Sequence, residues 1–146
     1  IAGGTLFSHF TSVIVDGASN VAVTGSHIAT NGQPSVWVKS AGASLALTGN
    51  TILRESNGFT APAVRVDAAK NLSIVGNSIA AYGIGIYFTG APKAGAVFGN
   101  AIQILDAAST GWFWWQVSHG FTVAAVNWCG SLVRNCARRR TTWPGW

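Results

Sequence analysis

Four short stretches, Gly25-Ser26-His27-Ile28, Gly49-Asn50-Thr51-Ile52, Gly76-Asn77-Ser78-Ile79 and Gly99-Asn100-Ala101-Ile102, repeat one phrase, Gly-[Ser/Asn]-x-Ile. The first glycines stand at 25, 49, 76 and 99, so the intervals are 24, 27 and 23 residues. A period of that size marks a repeat architecture in which each copy is one layer. Before each phrase runs a short apolar alternation: Val21 and Val23, Leu45 and Leu47, Leu72 and Ile74, and, less regularly, Val97. Before each of those runs another: Val13 and Val15, Val36 and Val38, Val64 and Val66, Ile86 and Phe88. Alternation puts one face inward and the other toward solvent. Each copy therefore reads as strand, turn, strand, Gly-Asn corner, and a third strand starting at the Ile. Three strands per copy, stacked copy on copy, make an all-β fold, a parallel β-helix.

The segments "NVAVTGSHI", "SLALTGNTI" and "NLSIVGNSI" (residues 20–28, 44–52 and 71–79) resemble the repeats of right-handed parallel β-helix proteins, the pectate-lyase-like superfamily. The resemblance covers about residues 7–105. It implies a right-handed single-stranded solenoid of about four rungs, a hand that agrees with the crossover rule for parallel strands. That superfamily includes pectin and alginate enzymes and phage tailspikes. The resemblance therefore implies a polysaccharide partner and an extracellular, cell-surface or virion-surface location. A repeat encodes the coil and not the site, so it names no reaction. No catalytic signature of a single family is present.

A chain of 146 residues suits one domain with a real core. Its hydrophobic fraction is 49% and its charged fraction only 9%, against about 25% charge in ordinary soluble globules. The stacked interior and glycine corners of a β-helix account for part of that imbalance. No apolar run approaches the about 18 residues of a membrane-spanning helix. Ile1-Ala2-Gly3-Gly4 has no basic n-region and apolar stretch of a signal peptide, and the chain has no Met. The simplest expectation is a piece of a longer protein that begins inside the repeat.

The net charge of +5 is uneven: residues 1–106 carry five bases against four acids, whereas 107–146 carry four arginines and no acid. A nearly neutral body argues against nucleic acid as a partner, since phosphate affinity needs a basic face. The chain divides into repeats over 1–106 and an irregular tail over 107–146. Six of the seven Trp lie in that tail, along with the run Arg138-Arg139-Arg140. A cap over the last rung, a segment that assembles a homotrimer, and a frame-shifted, unselected sequence are all open readings for it. Phe121 to Val126 forms one further candidate strand. Cys129 and Cys136 are either a disulfide or free thiols.

Three sets of residues are candidates for roles beyond the core. Ser26, Asn50, Asn77 and Asn100 share one corner on successive rungs and read as a structural ladder of hydrogen bonds. The outward positions of the earlier strand form two columns, Ile14, Trp37, Arg65, Tyr87 and Asp16, Lys39, Asp67, Thr89. Aromatic faces pack on sugar C–H faces, and Arg and Lys bind hydroxyls or carboxylates, so Trp37, Arg65, Tyr87 and Lys39 are the substrate-binding candidates. A solvated face or a contact with another chain is the rival reading. Asp16 and Asp67, two rungs or about 10 Å apart, are candidate carboxylates for hydrolysis, where inverting pairs stand about 6.5–9.5 Å apart. Lys39 between them is expected to neutralise both.

The resemblance to calcium-dependent β-helix lyases implies Arg65 or Lys39 as base and the Asp pair for Ca2+. Two Asp supply few of the about 6–8 oxygens that calcium needs. No resident cofactor or zinc-ligand spacing is evident. His27 sits beside a corner as a solvated turn residue, and His9 and His119 lie outside the repeats. A polar loop, Arg54 to Pro62, leaves the coil after Ile52 and explains the long second interval. The functional reading is a polysaccharide-binding or polysaccharide-degrading lyase or hydrolase β-helix. Its rival is a non-catalytic solenoid segment of an adhesin or phage tail fibre.

Overall fold

A computed structural model describes residues 1–54, 61–81, 84–90, 92–104, 121–124, 126–130 and 137–139. Every regular element in it is a strand. After β1 (Thr5–Ser8), four rungs follow in order. They are β2 (Val13–Val15), β3 (Val21–Thr24) and β4 (His27–Thr30); β5 (Val36–Val38), β6 (Ser44–Thr48) and β7 (Thr51–Arg54); β8 (Val64–Val66), β9 (Asn71–Val75) and β10 (Ser78–Ala81); and β11 (Ile86–Phe88), β12 (Ala94–Phe98) and β13 (Ala101–Ile104). Then come β14 (Phe121–Ala124), β15 (Val126–Gly130) and β16 (Ala137–Arg139).

Each strand pairs with its counterpart one rung away, which gives three sheets: β2-β5-β8-β11, β3-β6-β9-β12-β14 and β1-β4-β7-β10-β13-β15-β16. All pairs are parallel except β15 with β16. This is the expected solenoid of about four turns. The third strands begin one residue before the Ile, at His27, Thr51, Ser78 and Ala101. β14 and β15 continue the second and third sheets in register with β12 and β13. Most of 107–146 lies outside the described residues, and so do the cap, trimer and frame-shift readings, His119 and the Cys129–Cys136 disulfide.

The core is the inward half of every alternation. Ile28, Ile52, Ile79 and Ile102 stack in register, none more than 2% exposed. Val13, Val36, Val64 and Ile86 stack likewise in the first sheet. An inward apolar residue excludes water from the corner beside it, so the corner backbone must find partners inside the protein. The asparagines provide them. Asn50 Oδ1 accepts from the Ser26 amide, Asn77 Oδ1 from the Asn50 amide and Asn100 Oδ1 from the Asn77 amide, each at 2.9 Å. Their Nδ2 groups donate to Val23, Leu47 and Ile74 carbonyls of the preceding rung at 2.8–2.9 Å. The glycine before each corner residue has φ of +56° to +65°, a conformation in which a side chain is strained.

A fifth copy of the phrase emerges at Gly3-Gly4-Thr5-Leu6. Gly3 has φ +63°, Thr5 and Leu6 pair with His27 and Ile28, and the Gly4 amide donates to Ser26 Oγ at 3.4 Å. The four copies expected from the sequence are thus preceded by a fifth, ladder position included.

Arg54 corrects a second expectation. It does not open a polar loop; it ends β7, in register with Thr30, with 0% of its surface exposed. The third strand points every second residue inward, and the second position after Ile52 is inward whatever residue fills it. Burial lowers the Arg54 pKa from its ordinary value. Residues 55–60 of the expected loop lie outside the described residues, whereas Pro62 is buried. Gly95, with φ +140°, is required by close approach, because a Cβ there would run into the Leu72 backbone carbonyl.

The ladder predicts that Asn77→Leu lowers stability far more than Thr51→Ala at an exposed neighbouring position. Each corner group left without a partner costs about 1–3 kcal/mol. Thermal melts of the two variants check this; equal shifts would contradict a ladder that holds the corners.

Candidate functional site

The outer surface of β2-β5-β8-β11 carries the candidate columns. Short three-residue strands with inward first and third residues leave only the middle side chain outward, and register then stacks those middles. Ile14 pairs with Trp37, Trp37 with Arg65 and Arg65 with Tyr87. The row Trp37, Arg65, Tyr87 therefore covers three successive rungs, about 10 Å from end to end. Ile14 is 56% exposed, while the other three are half-buried.

The second column is less even than its sequence. Lys39 Nζ stands 3.4 Å from Asp16 Oδ2. Lys39 does not form the expected pair with Asp67, because Arg65 occupies that carboxylate. Two residues apart on one strand, Arg65 and Asp67 share a face, and Arg65 Nε donates to Asp67 Oδ1 at 2.7 Å. Thr89 Oγ1 donates to the same oxygen at 2.6 Å. Trp37 Nε1 donates to Asp67 Oδ2 at 2.8 Å. Arg65 Cζ also lies 4.8 Å from the Trp37 ring centroid, and Lys39 Nζ 5.2 Å from it. The indole is held by cations from its own strand and from the following rung.

Partial burial works to raise the Asp67 pKa. Hydrogen bonds from Arg65, Thr89 and Trp37, with the Arg65 charge, outweigh it and hold the carboxyl below the usual carboxylate range. Such a carboxyl stays ionised at neutral pH and has no proton to give a leaving group. Three donors also occupy three of the about four lone-pair sites that a calcium ion would draw on. Among the described residues no hydrogen bond engages the Arg65 Nη atoms or the Tyr87 hydroxyl. These are the polar groups of the row left for a ligand.

The two other described candidates stand apart from this face. His27 is the exposed first residue of β4, on the third sheet, between Thr5 and Thr51 in register. His9 meets the Phe7 ring edge-on at 5.6 Å. Sequence reasoning placed Thr89 and Asp67 in one column but missed Asp67 as the point where three rungs meet. The Arg65-x-Asp67 spacing was the available signal, since such residues always share a strand face.

The fold and this face define a parallel β-helix protein with one polar, aromatic-bearing flank. The chain matches the family described as periplasmic copper-binding protein (NosD) over residues 1–123, and it belongs to that family. No curated protein and no solved structure matches it. Copper favours Cys, Met and His ligands. The chain has no Met, and the described imidazoles, His9 and His27, stand on different rungs with no acid grouped beside them. Among the described residues no three His, Cys, Asp or Glu side chains come together to hold an ion. The described residues do not fit a copper centre. Among the described residues no helix is long and apolar enough to cross a membrane.

The depressed Asp67 pKa has a definite sign for stability. A carboxyl with a lowered folded-state pKa stabilises the fold above its unfolded value, about 3.9, and loses that contribution as pH falls through the folded value. Asp67→Asn is therefore expected to melt below the parent at pH 5–7, with the gap closing as both are acidified below about pH 4. A gap that stays constant down to pH 2 would contradict the assignment.

Proposed function

We propose that this chain is a β-helix module of the periplasm or cell exterior that binds a polysaccharide along the Trp37-Arg65-Tyr87 row and does not cleave it. The observation that carries the reading is the open Arg65 fork, in register with Tyr87 on one side and with a fixed indole on the other. A guanidinium whose Nε is anchored still offers its Nη pair for two parallel hydrogen bonds to a carboxylate or to vicinal hydroxyls. The row's length of about 10 Å suits about two sugar rings lying along the coil axis. The likeness of the repeats to pectate-lyase-like β-helices supports a glycan ligand, and the family's periplasmic description supports the location. The ionised, three-donor Asp67 and the Lys39-paired Asp16 speak for binding over hydrolysis, because glycosidic cleavage needs a carboxylic acid that keeps its proton. The family's copper is not assigned to residues of this coil.

A structural role as a solenoid segment, in a trimeric adhesin or tail fibre, is the second reading. It is favoured by the mutual satisfaction of Asp16, Lys39, Asp67, Arg65 and Thr89. Such a network also suits a face that only meets water or another chain. Sedimentation showing trimers, together with no glycan binding, would select it.

Titration with one acidic and one neutral oligosaccharide tests the main reading. Trp37→Ala is expected to weaken both by about 1–3 kcal/mol, since it removes an aromatic contact and the support under Arg65. Arg65→Ala is expected to weaken the acidic ligand far more than the neutral one. Parent-like affinities for both variants would remove the binding reading.

A further inference from the structure

We infer that Asp67 is the positioning residue of this face, its two carboxylate oxygens fixing the Trp37 indole and the Arg65 guanidinium so that the Arg65 Nη atoms and the Tyr87 hydroxyl are presented together. What it contributes to ligand binding rests on the polysaccharide reading; the clamp itself rests on geometry. One planar group joins three successive rungs. Oδ2 accepts from Trp37 on β5, and Oδ1 accepts from Arg65 on β8 and from Thr89 just after β11. Trp37 has no other hydrogen-bond partner for Nε1 among the described residues, so its ring orientation depends on Oδ2. Arg65 has five N–H donors in a rigid fork. Tying Nε to Oδ1 sets the plane of that fork and turns its far edge away from the carboxylate. The guanidinium then lies 4.8 Å from the indole centroid, about one rung spacing, as stacked neighbours on a parallel ladder would.

The charged and titratable groups facing Asp67 are few. Arg65 lies on its own strand. Lys39 is beside it in the preceding rung, with its ammonium turned to Asp16. Tyr87 is in the following rung, and Lys70 follows at the next corner, exposed. Of these charged and titratable groups, Arg65 alone bonds the carboxylate among the described residues. Loss of the Asp67 charge, by substitution or by acid, therefore leaves one acceptor oxygen where there were two, too few to hold the Trp37 and Arg65 N–H groups together, and loosens ring and fork. The low pKa of the group keeps the clamp closed through neutral pH.

The test reads the clamp and the ligand separately. The Trp37 Nε1–H resonance, identified by its loss in Trp37→Phe, is followed by NMR from pH 7 to 2 in the parent, Asp67→Asn and Asp67→Glu. The same proteins are titrated with a neutral β-glucan hexasaccharide, whose own charge does not change with pH, and with an oligogalacturonate at pH 7. In the parent the resonance is expected downfield, moving as Asp67 takes up its proton, with hexasaccharide affinity falling over the same range. In Asp67→Asn it is expected near the solvent-exposed position at every pH, with affinity lower by about tenfold and flat with pH. Asp67→Glu, which keeps a carboxylate, should recover part of both, a rescue that a loss of fold would not show. A Trp37 resonance that ignores Asp67 overturns the inference, as does an Asp67→Asn protein that binds like the parent, which would leave the polysaccharide reading standing. A resonance that follows Asp67 in a protein that binds neither oligosaccharide upholds the clamp and removes the polysaccharide reading.

Discussion

A backbone amide that turns a corner beside a dry core needs an acceptor, and no water is there to supply one. In this chain a side-chain oxygen of the next rung supplies it: the Ser26 hydroxyl for Gly4, then the amide oxygens of Asn50, Asn77 and Asn100 for Ser26, Asn50 and Asn77. The bond does more than satisfy a donor. Because each acceptor belongs to the following rung and each Nδ2 donates to the preceding one, the ladder fixes which rung residue lies over which. A slip of one residue in any strand would turn its inward side chains out. The isoleucine stack, the valine stacks and the outward row of Trp37, Arg65 and Tyr87 are consequences of that single register.

The surface chemistry depends on the same constraint. Trp37 reaches Asp67 only because β5 and β8 pair with Trp37 beside Arg65, despite the long interval between them. The bond to Asp67 converts two residues that sequence alone offers as a hydrolytic pair into different things. Asp16 becomes half of an exposed ion pair, worth little by itself. Asp67 becomes a buried-side anchor whose protonation is disfavoured. Membership of the NosD family agrees with the fold and with a location outside the cytoplasm, while the described side chains offer copper no grouped ligands.

Much of the fold was legible because its chemistry leaves letters behind. A positive-φ corner asks for Gly, a dry corner for Asn, and the first core position after it for Ile, so four copies could be read directly. The copy at Gly3-Gly4-Thr5-Leu6 was hidden because Gly stands in for Asn and Leu for Ile, though its backbone obeys the same rules. Arg54 was misread because a charged residue suggests a loop, whereas the alternation of β7 sends it inward. At the candidate site, column membership was legible from period two and the copy-to-copy alignment. The partners were not: Lys39 and Arg65 are equally plausible mates for Asp67 on paper, and only side-chain direction separates them. Lys39 lies beside it on the neighbouring strand, but Arg65, two residues back on the same strand, points along that face.

Native-state hydrogen exchange at the corner amides tests the account at its base. If the asparagine ladder sets the register, the amides of Ser26, Asn50 and Asn77 should exchange only through opening of the whole coil, as slowly as the amides of Ile52 and Ile79 in the core. In Asn77→Leu the Asn50 amide, which bonds to Asn77 Oδ1, should speed up most. Corner amides that exchange in the parent as fast as those of exposed turns such as Gly42 would mean that the ladder does not hold the coil, and the outward row would lose the register on which it depends.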